Sequence, residues 1–389
     1  MKKNILFVIH KMNQGGAQKA ASNILNQLSD ELYNKSIFIF DNTNCQYAIH
    51  GTIIDGKIPN QRRIIKKIPN FVKKYRLLKK LKKDMDVCVS FLGTPNLLNI
   101  ITKSKSCVTI ISERNYLSGM RNKDTGFYKF VAKTFYRYAD KIICVSKDVE
   151  QDLIQHYNIT EDRIETINNF VDIEGSKEQS LEDVEKALIE KPYMVLAGRL
   201  HKQKGFMHAI EAYAKMPPTN LKMLILGEGT DRPKLEKQIE DLGLVGQVKL
   251  MGYRNNPFPF YANAQFFVLS SLIEGFPNVM IEAMACGAAM IATNCISGPK
   301  ELLMPHATIV NGVQEGTYGI LVPCFDEHDD VQEYYKKINA LSEAMVMMVQ
   351  DEEKRMHYKK MAQLRATDYS CDQIIQKWDK VIVETVRRL

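Results

Sequence analysis

Glu274 and Glu282 lie eight residues apart on either side of a Gly275-Phe-Pro-Asn278 turn, in the stretch Ser271–Gly287. The run before the turn, Phe266–Ser270, is apolar and short enough for a buried strand, and the Ala- and Met-rich run after it has the composition of a helix. Strand, glycine turn and helix together present backbone N–H groups and a positive helix end to an anion. A carboxylate at the strand end, with a second one to two turns into the helix, can accept hydrogen bonds from a ligand's hydroxyls. Hydroxyls beside phosphate are the chemistry of a nucleotide-sugar.

The elements that must hold these groups alternate between strand and helix through both halves of the chain, the pattern of an α/β protein with parallel sheets covered on both faces. In the first half the strands are expected at Ile5–Ile9, Ser36–Phe40, Val87–Phe91, Val108–Ser112 and Lys141–Val145, with a helix over Ala17–Leu28 behind Gly15-Gly16. In the second half they are expected at Tyr193–Ala197, Lys222–Leu226, Val248–Met251, Phe266–Ser270, Met290–Ala292 and Gly319–Val322, with helices over Met207–Lys215 and Arg232–Leu242. A chain of 389 residues outgrows a single core. We expect domains over 1–175 and 190–369, joined near Asp172–Lys191, where the polar, acidic composition suits a mobile hinge or a surface helix. Ile374, Trp378, Val381, Ile382 and Thr385 recur at helical spacing, so 370–389 is read as a helix crossing back to the first domain.

Composition narrows the class. Hydrophobic residues make up 45% of the chain, enough for two cores. No run approaches the roughly 18 apolar residues of a membrane span, and the apolar run after Lys2-Lys3 is too short for a signal peptide. The eight cysteines show no CxxC and no paired histidines. Cys88, Cys107 and Cys144 fall in strand-like runs, and Cys286 and Cys295 lie nine apart, so buried free thiols in a reducing, cytoplasmic setting are expected. The net charge of +8 is concentrated: Lys57–Lys83 holds twelve Lys and Arg and no carboxylate, which leaves the rest net acidic.

The order of motifs along the chain resembles one family closely. Gly15-Gly16, Lys141-Ile-Ile-Cys-Val-Ser-Lys-Asp148, Ile164–Asp172, Gly198-Arg-Leu with Lys204-Gly205, Leu226-Gly-Glu-Gly229, Gly252-Tyr-Arg-Asn-Asn-Pro257, the Glu-x7-Glu segment and Gly298-Pro-Lys-Glu-Leu302 are similar, in order and spacing, to the retaining family-four glycosyltransferases. The resemblance implies the GT-B fold, two Rossmann-like doubly wound domains facing a cleft. It also implies a UDP-sugar as co-substrate and no metal or other cofactor, and no histidine cluster offers a metal site. Arg199 and Lys204 match the cations that stabilise charge on the departing diphosphate, Arg as a bidentate clamp and Lys as a point charge. Glu282 would hold the ribose and Glu274 the transferred sugar. Backbone N–H groups along Gly275, Phe276, Pro277, Asn278 and Val279 would meet sugar and phosphate oxygens wherever an N–H exists. Gly198, Tyr253 and Arg254 would line the donor, with the Tyr253–Arg254 backbone at the base. Gly15 and Gly16 would approach the donor phosphates from the first domain.

Two positions depart from the commonest family pattern. Gln18 stands where many relatives carry Glu; on the resemblance it is an acceptor-side candidate with Gly15, able to hydrogen-bond but not to carry charge. Ile111-Ser-Glu-Arg-Asn115 stands where many carry a His, and it is similar to the subset that acts on polyprenyl-diphosphate-linked oligosaccharides. On that resemblance Arg114 is a candidate for an acceptor pyrophosphate and Glu113 for an acceptor base, with a Glu113–Arg114 salt bridge as the structural alternative. His10, one residue past the first strand, is read either as a substrate contact or as a buried strand-end His. His201 is read as solvent-facing.

The basic segment has its own pattern. Phe71, Val72, Tyr75, Leu78 and Leu81 recur at three- and four-residue steps, with Pro69 suited to a first helical turn. Lys73, Lys74, Arg76, Lys79, Lys80, Lys82 and Lys83 fill the opposite face. Without an aromatic platform or recognition motif nucleic acid is not the expected partner. An anionic membrane surface contacted by the helix 69–83 is expected, or a helix packed on the core with a solvated basic face. On the family resemblance the chain looks like a UDP-sugar-dependent retaining transferase that extends a lipid-linked glycan of a bacterial surface polysaccharide, and the basic segment adds the expectation of peripheral attachment to the inner face of the cytoplasmic membrane. A GT-B UDP-sugar epimerase and a non-catalytic nucleotide-sugar-binding partner are the alternatives.

Overall fold

The computed structural model describes residues 2–13, 15–59, 64–120, 125–182, 192–305 and 312–387, with backbone alone for 64–67. Two compact units divide the chain: Met1–Asn169 with Cys371–Leu389, and Phe170–Ser370.

The first unit is built on seven parallel strands, β1 (Lys3–Ile9), β2 (Tyr33–Ile39), β3 (Thr52–Asp55), β4 (Val87–Phe91), β5 (Val108–Glu113), β6 (Lys141–Cys144) and β7 (Ile164–Thr166), in the order β3-β2-β1-β4-β5-β6-β7. β4 and β5 are buried along their whole length, which is why they read as continuous apolar runs rather than alternating ones. Helices α1 (Gly16–Gln27), α2 (Ile64–Leu81), α3 (Gly93–Ile101), α4 (Thr125–Phe135) and α5 (Lys147–Tyr157) alternate with the strands. The crossovers through α2, α3 and α4 all advance toward β7, so right-handed connection places these three on one face of the sheet. The α1 crossover runs the other way and lies on the opposite face, where the C-terminal helix Cys371–Arg387 packs against it. That helix buries Ile374, Trp378, Val381, Ile382 and Thr385, the stripe its spacing predicts.

The second unit repeats the plan. Its strands β8 (Tyr193–Ala197), β9 (Lys222–Leu226), β10 (Val248–Gly252), β11 (Phe266–Leu269), β12 (Ala289–Thr293), β13 (Gln314–Glu315) and β14 (Ile320–Val322) are ordered β10-β9-β8-β11-β12-β14-β13, all parallel except the β13–β14 pair. Its helices are α6 (Ile173–Ser180), α7 (Phe206–Ala214), α8 (Arg232–Asp241), α9 (Phe258–Ala262), α10 (Asn278–Ala285), α11 (Pro299–Leu303), α12 (Val331–Gln350) and α13 (Glu352–Thr367). Strand order reverses between β1 and β4 in the first sheet and between β8 and β11 in the second. In open α/β sheets such switch points open a crevice at the carboxyl ends of the strands.

The structure revises several expectations. β3, β7 and β13 carry too few apolar residues to stand out in the sequence; β3 is a mostly exposed edge strand. Within the expected hinge, Asp172 caps α6 by accepting the Gly175 N–H at 3.0 Å, and α6 packs on α9 and α10 of the second unit. The remainder of that segment, 183–191, lies outside the described residues, as do Arg62 and Arg63 of the basic run. Pro69 is not in a first turn: α2 begins at Ile64, so the ring sits inside the helix and one intrahelical hydrogen bond is forgone.

The basic face is also smaller than its sequence. Lys74 is buried, with Nζ 4.7 Å from the centre of the Phe40 ring. Lys82 is 1% exposed, and its ammonium donates to the Asn99 carbonyl at 3.0 Å, to Asn99 Oδ1 at 2.9 Å and to Thr109 Oγ1 at 3.1 Å. Three neutral oxygens use all three of its protons, and Asn99 lies in the last turn of α3, the end of a helix that favours a cation. Lys73, Arg76, Lys79, Lys80 and Lys83 remain on the exposed side.

Candidate functional site at the second switch point

The carboxyl ends of β8 and β11 bring together the strongest sequence motifs. After β8 the chain turns through Gly198 to Gly205 and enters α7; after β11 it turns through Ser270 to Pro277 and enters α10. The two turns are fastened to each other by Leu272 N–H donating to the Gln203 carbonyl at 2.8 Å and Gln203 Nε2 to the Ile273 carbonyl at 2.7 Å. The Ser270 hydroxyl adds a bond to the Lys204 carbonyl at 2.9 Å. Gly205 is required here. Its φ is +63°, and a Cβ would stand 2.0 Å from the Ser270 carbonyl oxygen.

Within this junction the Lys204 ammonium contacts Glu274 Oε1 at 2.6 Å. The Ser271 hydroxyl donates to the same oxygen at 2.6 Å. Glu274 is 8% exposed, so its charge is compensated by one cation and one hydroxyl in a largely water-free setting. The stem of Lys204 lies across Gly198, where a Cβ would approach Lys204 Cε to 3.2 Å. Arg199 is exposed on the same turn and has no ion-pair partner among the described residues. Glu282 is buried on α10, close enough to Tyr261 and Cys286 to help raise both above their usual titration ranges, although burial is the larger cause for each.

Gly275, Asn278 and Val279 are half-buried around the start of α10, whereas Phe276 and Pro277 are buried. Phe276 packs on Tyr369 with ring centres 5.5 Å apart. Beyond β10, Tyr253 is exposed, while the Arg254 guanidinium lies 5.7 Å from the Phe260 ring with Nε buried and unbonded among the described residues. The Leu226-Gly-Glu-Gly229 motif has a packing explanation. Gly227 brings β9 so close to β8 that a Cβ would fall 1.9 Å from the Gly198 carbonyl oxygen.

The first unit carries its candidates at the carboxyl ends of β1 and β5. Gly15 caps α1 and exchanges hydrogen bonds with Tyr47 Oη at 3.2 Å, and Gln18 folds back over it. Gly16 is the first residue of α1. His10 sits edge-on to Phe40, with Nε2 buried and unbonded among the described residues. Burial, helped by Lys74 and Lys11, lowers its pKa to about 4, so the ring is neutral. Beside it Lys11 pairs with Asp41 at 2.8 Å, a contact without a signal in the sequence.

Glu113 and Arg114 do not form the salt bridge considered from the sequence. Glu113 is 1% exposed; Oε1 accepts the N–H groups of Arg114 and Asn115, and Oε2 accepts the Tyr136 hydroxyl at 2.6 Å. Burial raises its pKa against the pull of those donors. Arg114 turns instead to Ser112 Oγ at 3.0 Å and to Asn169 Oδ1. Burial lowers its pKa to about 10. Ser271 and Gln203 are the residues that sequence reasoning missed at the second switch point. Ser271's place at the head of the Glu-x7-Glu segment was the available signal.

Residues 14–174 match the domain described as Glycosyltransferase Family 4, and residues 179–365 match Glycosyl transferases group 1. Over 372 residues the chain is 31% identical to the N-acetylgalactosamine-N,N'-diacetylbacillosaminyl-diphospho-undecaprenol 4-alpha-N-acetylgalactosaminyltransferase of Campylobacter jejuni, covering 92% of this chain and 93% of that enzyme. The chain belongs to the family 4 glycosyltransferases. A second Campylobacter jejuni enzyme, the GalNAc-alpha-(1->4)-GalNAc-alpha-(1->3)-diNAcBac-PP-undecaprenol alpha-1,4-N-acetyl-D-galactosaminyltransferase, is 27% identical to this glycosyltransferase over 389 residues, 98% of each. Among solved structures, HepE of Anabaena in complex with UDP and glucose superposes with a TM-score of 0.77 at 18% identity, over 98% of this chain and 100% of that one. Sucrose-phosphate synthase of Thermosynechococcus elongatus gives 0.79 at 16% identity over all of both chains. The glycosyltransferase therefore has the GT-B fold, two Rossmann-like α/β domains. No helix among its described residues is long and apolar enough to cross a membrane.

Proposed function

We propose that this glycosyltransferase moves a hexose or N-acetylhexosamine, with retention of configuration, from a UDP-sugar to a glycan carried on a polyprenyl diphosphate. The product would serve a bacterial surface polysaccharide or related glycan. The observation that carries the reading is the Lys204–Glu274 contact at 2.6 Å beside exposed Arg199, at the switch point of the second sheet. It joins a cation suited to diphosphate to a carboxylate suited to sugar hydroxyls. The printed names of the two Campylobacter enzymes, both acting on undecaprenol-diphosphate-linked sugars, support the acceptor class.

In the proposed reaction the acceptor hydroxyl attacks the anomeric carbon from the face that UDP leaves. The bond from that carbon to the β-phosphate oxygen breaks, the new glycosidic bond forms, and the acceptor's proton passes to the departing phosphate. Arg199 and Lys204 stabilise the charge gathering on UDP, with no metal assigned a part. Glu274 positions the sugar, and Glu282 accepts hydrogen bonds from the ribose. The half-buried backbone at Gly275, Asn278 and Val279 supplies N–H donors. The first unit is assigned the acceptor, and the exposed face of α2 an anionic membrane surface that holds the protein at the cytoplasmic side. A UDP-sugar epimerase would need acid–base groups in the first unit, and Glu113, 1% exposed with its oxygens already hydrogen-bonded, does not suit that role.

Calorimetry with UDP, GDP and ADP tests the donor assignment. UDP should bind most tightly, and Glu282→Ala should weaken it by about 1 kcal/mol or more. Equal binding of all three, or no effect of Glu282→Ala, would refute the assignment. The anomeric coupling constant of the product, read by NMR, tests retention.

A further inference from the structure

Helix α4 exposes an aromatic ridge that the proposed reaction does not use. Phe127 is 47% exposed and Phe130 59% exposed, three residues apart on one side of the helix. The ridge continues through exposed Lys133 into the helical turn Tyr136–Tyr138, where Arg137 and Tyr138 are also exposed and the guanidinium lies 5.2 Å from the tyrosine ring. The neighbouring side chains point inward: Tyr128 packs over Gly93 at the start of α3, and Lys129 donates to the Ser118 carbonyl at 3.1 Å. The exposure therefore belongs to the ridge and not to a loosely packed helix.

The ridge has a basic companion. α2 and α4 both pack on α3, and Pro95–Ile100 of α3 are buried beneath them. The outward sides of α2 and α4 thus belong to one layer on one face of the first sheet. On α2 that side carries Lys73, Arg76, Lys79 and Lys80, with Lys83 just beyond, together with exposed Ile68 and Val72. Neither α2 nor α4 contains an Asp or Glu. Outside the basic run the chain is net acidic, and within that run Lys73, Arg76, Lys79, Lys80 and Lys83 are exposed together on this side.

From this juxtaposition we infer that α4 is an insertion element. Phe127 and Phe130 enter the headgroup boundary of an anionic bilayer while the cations of α2 hold the surface. Exposed aromatics flanked by Lys and Arg, with no carboxylate within either helix, suit an interface that is apolar below and anionic above. The inference deepens the membrane reading given above and rests on it for its biological sense, but it makes a separate claim. Attachment has an apolar component centred on α4 and is not electrostatic alone.

Co-sedimentation of the full chain with vesicles of phosphatidylcholine alone, or containing phosphatidylglycerol, tests it. Wild type should bind the anionic vesicles at low salt and retain part of that binding at high salt, where surface charge is screened. F127S/F130S should partition about tenfold more weakly and lose the salt-resistant part. K73Q/K79Q/K80Q should lose about fivefold per charge at low salt and keep the salt-resistant part. Unchanged melting temperatures and UDP affinities in both variants would show that the fold and the second unit are intact. If F127S/F130S sediments as wild type does at every salt concentration, the insertion role is wrong, and α2 alone carries attachment. If wild type binds no vesicles, docking is wrong while the donor reading stands on its own calorimetry. If the double variant instead converts a wild-type dimer to a monomer, the ridge is a contact between copies and the inference is overturned.

Discussion

Ser271→Ala should separate sugar positioning from nucleotide binding. The Ser271 hydroxyl and the Lys204 ammonium both meet Glu274 Oε1 at 2.6 Å, and Oε2 has no hydrogen-bond partner among the described residues. In the proposed reaction the hydroxyl fixes the rotation of the carboxylate and leaves Oε2 for the transferred sugar. A hydrogen bond to a charged group contributes about 1.5–3 kcal/mol. Lys204 remains after the substitution and retains part of the constraint, so the expected loss is near the lower end, roughly tenfold in kcat/KM for release of UDP. UDP alone has no sugar for Glu274 to hold, and its calorimetric affinity should change by no more than about twofold. The damage should stay local, because the Ser271 carbonyl is held independently by the Thr293 hydroxyl at 2.6 Å. Full retention of kcat/KM would refute the positioning role. A fall in kcat/KM matched by an equal fall in UDP affinity would show that Ser271 shapes the whole pocket instead.

Two further perturbations probe the first unit. Lys82→Met strands three buried oxygens on Asn99 and Thr109, so urea denaturation should show a loss of about 2–3 kcal/mol, whereas exposed Lys79→Met should stay within about 0.5 kcal/mol; equal effects would contradict the buried cage. Burial holds His10 near 4 in the folded protein, below the usual 6.5 of a solvated histidine, so the unfolded chain binds more protons between these values. Stability should therefore fall as pH drops from 6.5 toward 4, and His10→Gln should lose less across that window in thermal melts at stepped pH; an unchanged slope would rule out His10 as a contributor.

The positions of the candidate groups in the fold were legible in the sequence where glycine marked a strand end. Gly15-Gly16 follows β1, Gly198 follows β8 and Gly275 lies in the turn after β11, and all three fall at a switch point of their sheet. Such turns leave a local record because they need special backbone or close approach. Partnerships leave no such record. Lys204 and Glu274 lie 70 residues apart, and their contact arises only because β8 and β11 are neighbours in the sheet. A motif can name both residues without revealing that they share an oxygen with Ser271.

The basic segment shows the same division between local and assembled structure. Its helical periodicity was readable, since apolar residues at three- and four-residue steps must face a core. Lys74 and Lys82 nevertheless went to the wrong side of the account. Lys74 lies against Phe40, one residue past β2, and Lys82 finds its oxygens on α3 and β5. A long aliphatic stem lets a lysine cross from an exposed ridge into a core when acceptors wait there, and those acceptors come from elements that the local pattern does not contain. Glu113 follows the same logic with opposite charge. The family resemblance offered it as an acceptor base or as a partner of Arg114, and Tyr136, from the turn after α4, instead meets it in the interior. Charge written in sequence therefore overstates the charge at the surface. In this glycosyltransferase the correction sharpens the layer proposed to meet a membrane, because the exposed cations described on α2 are those not drawn into the core.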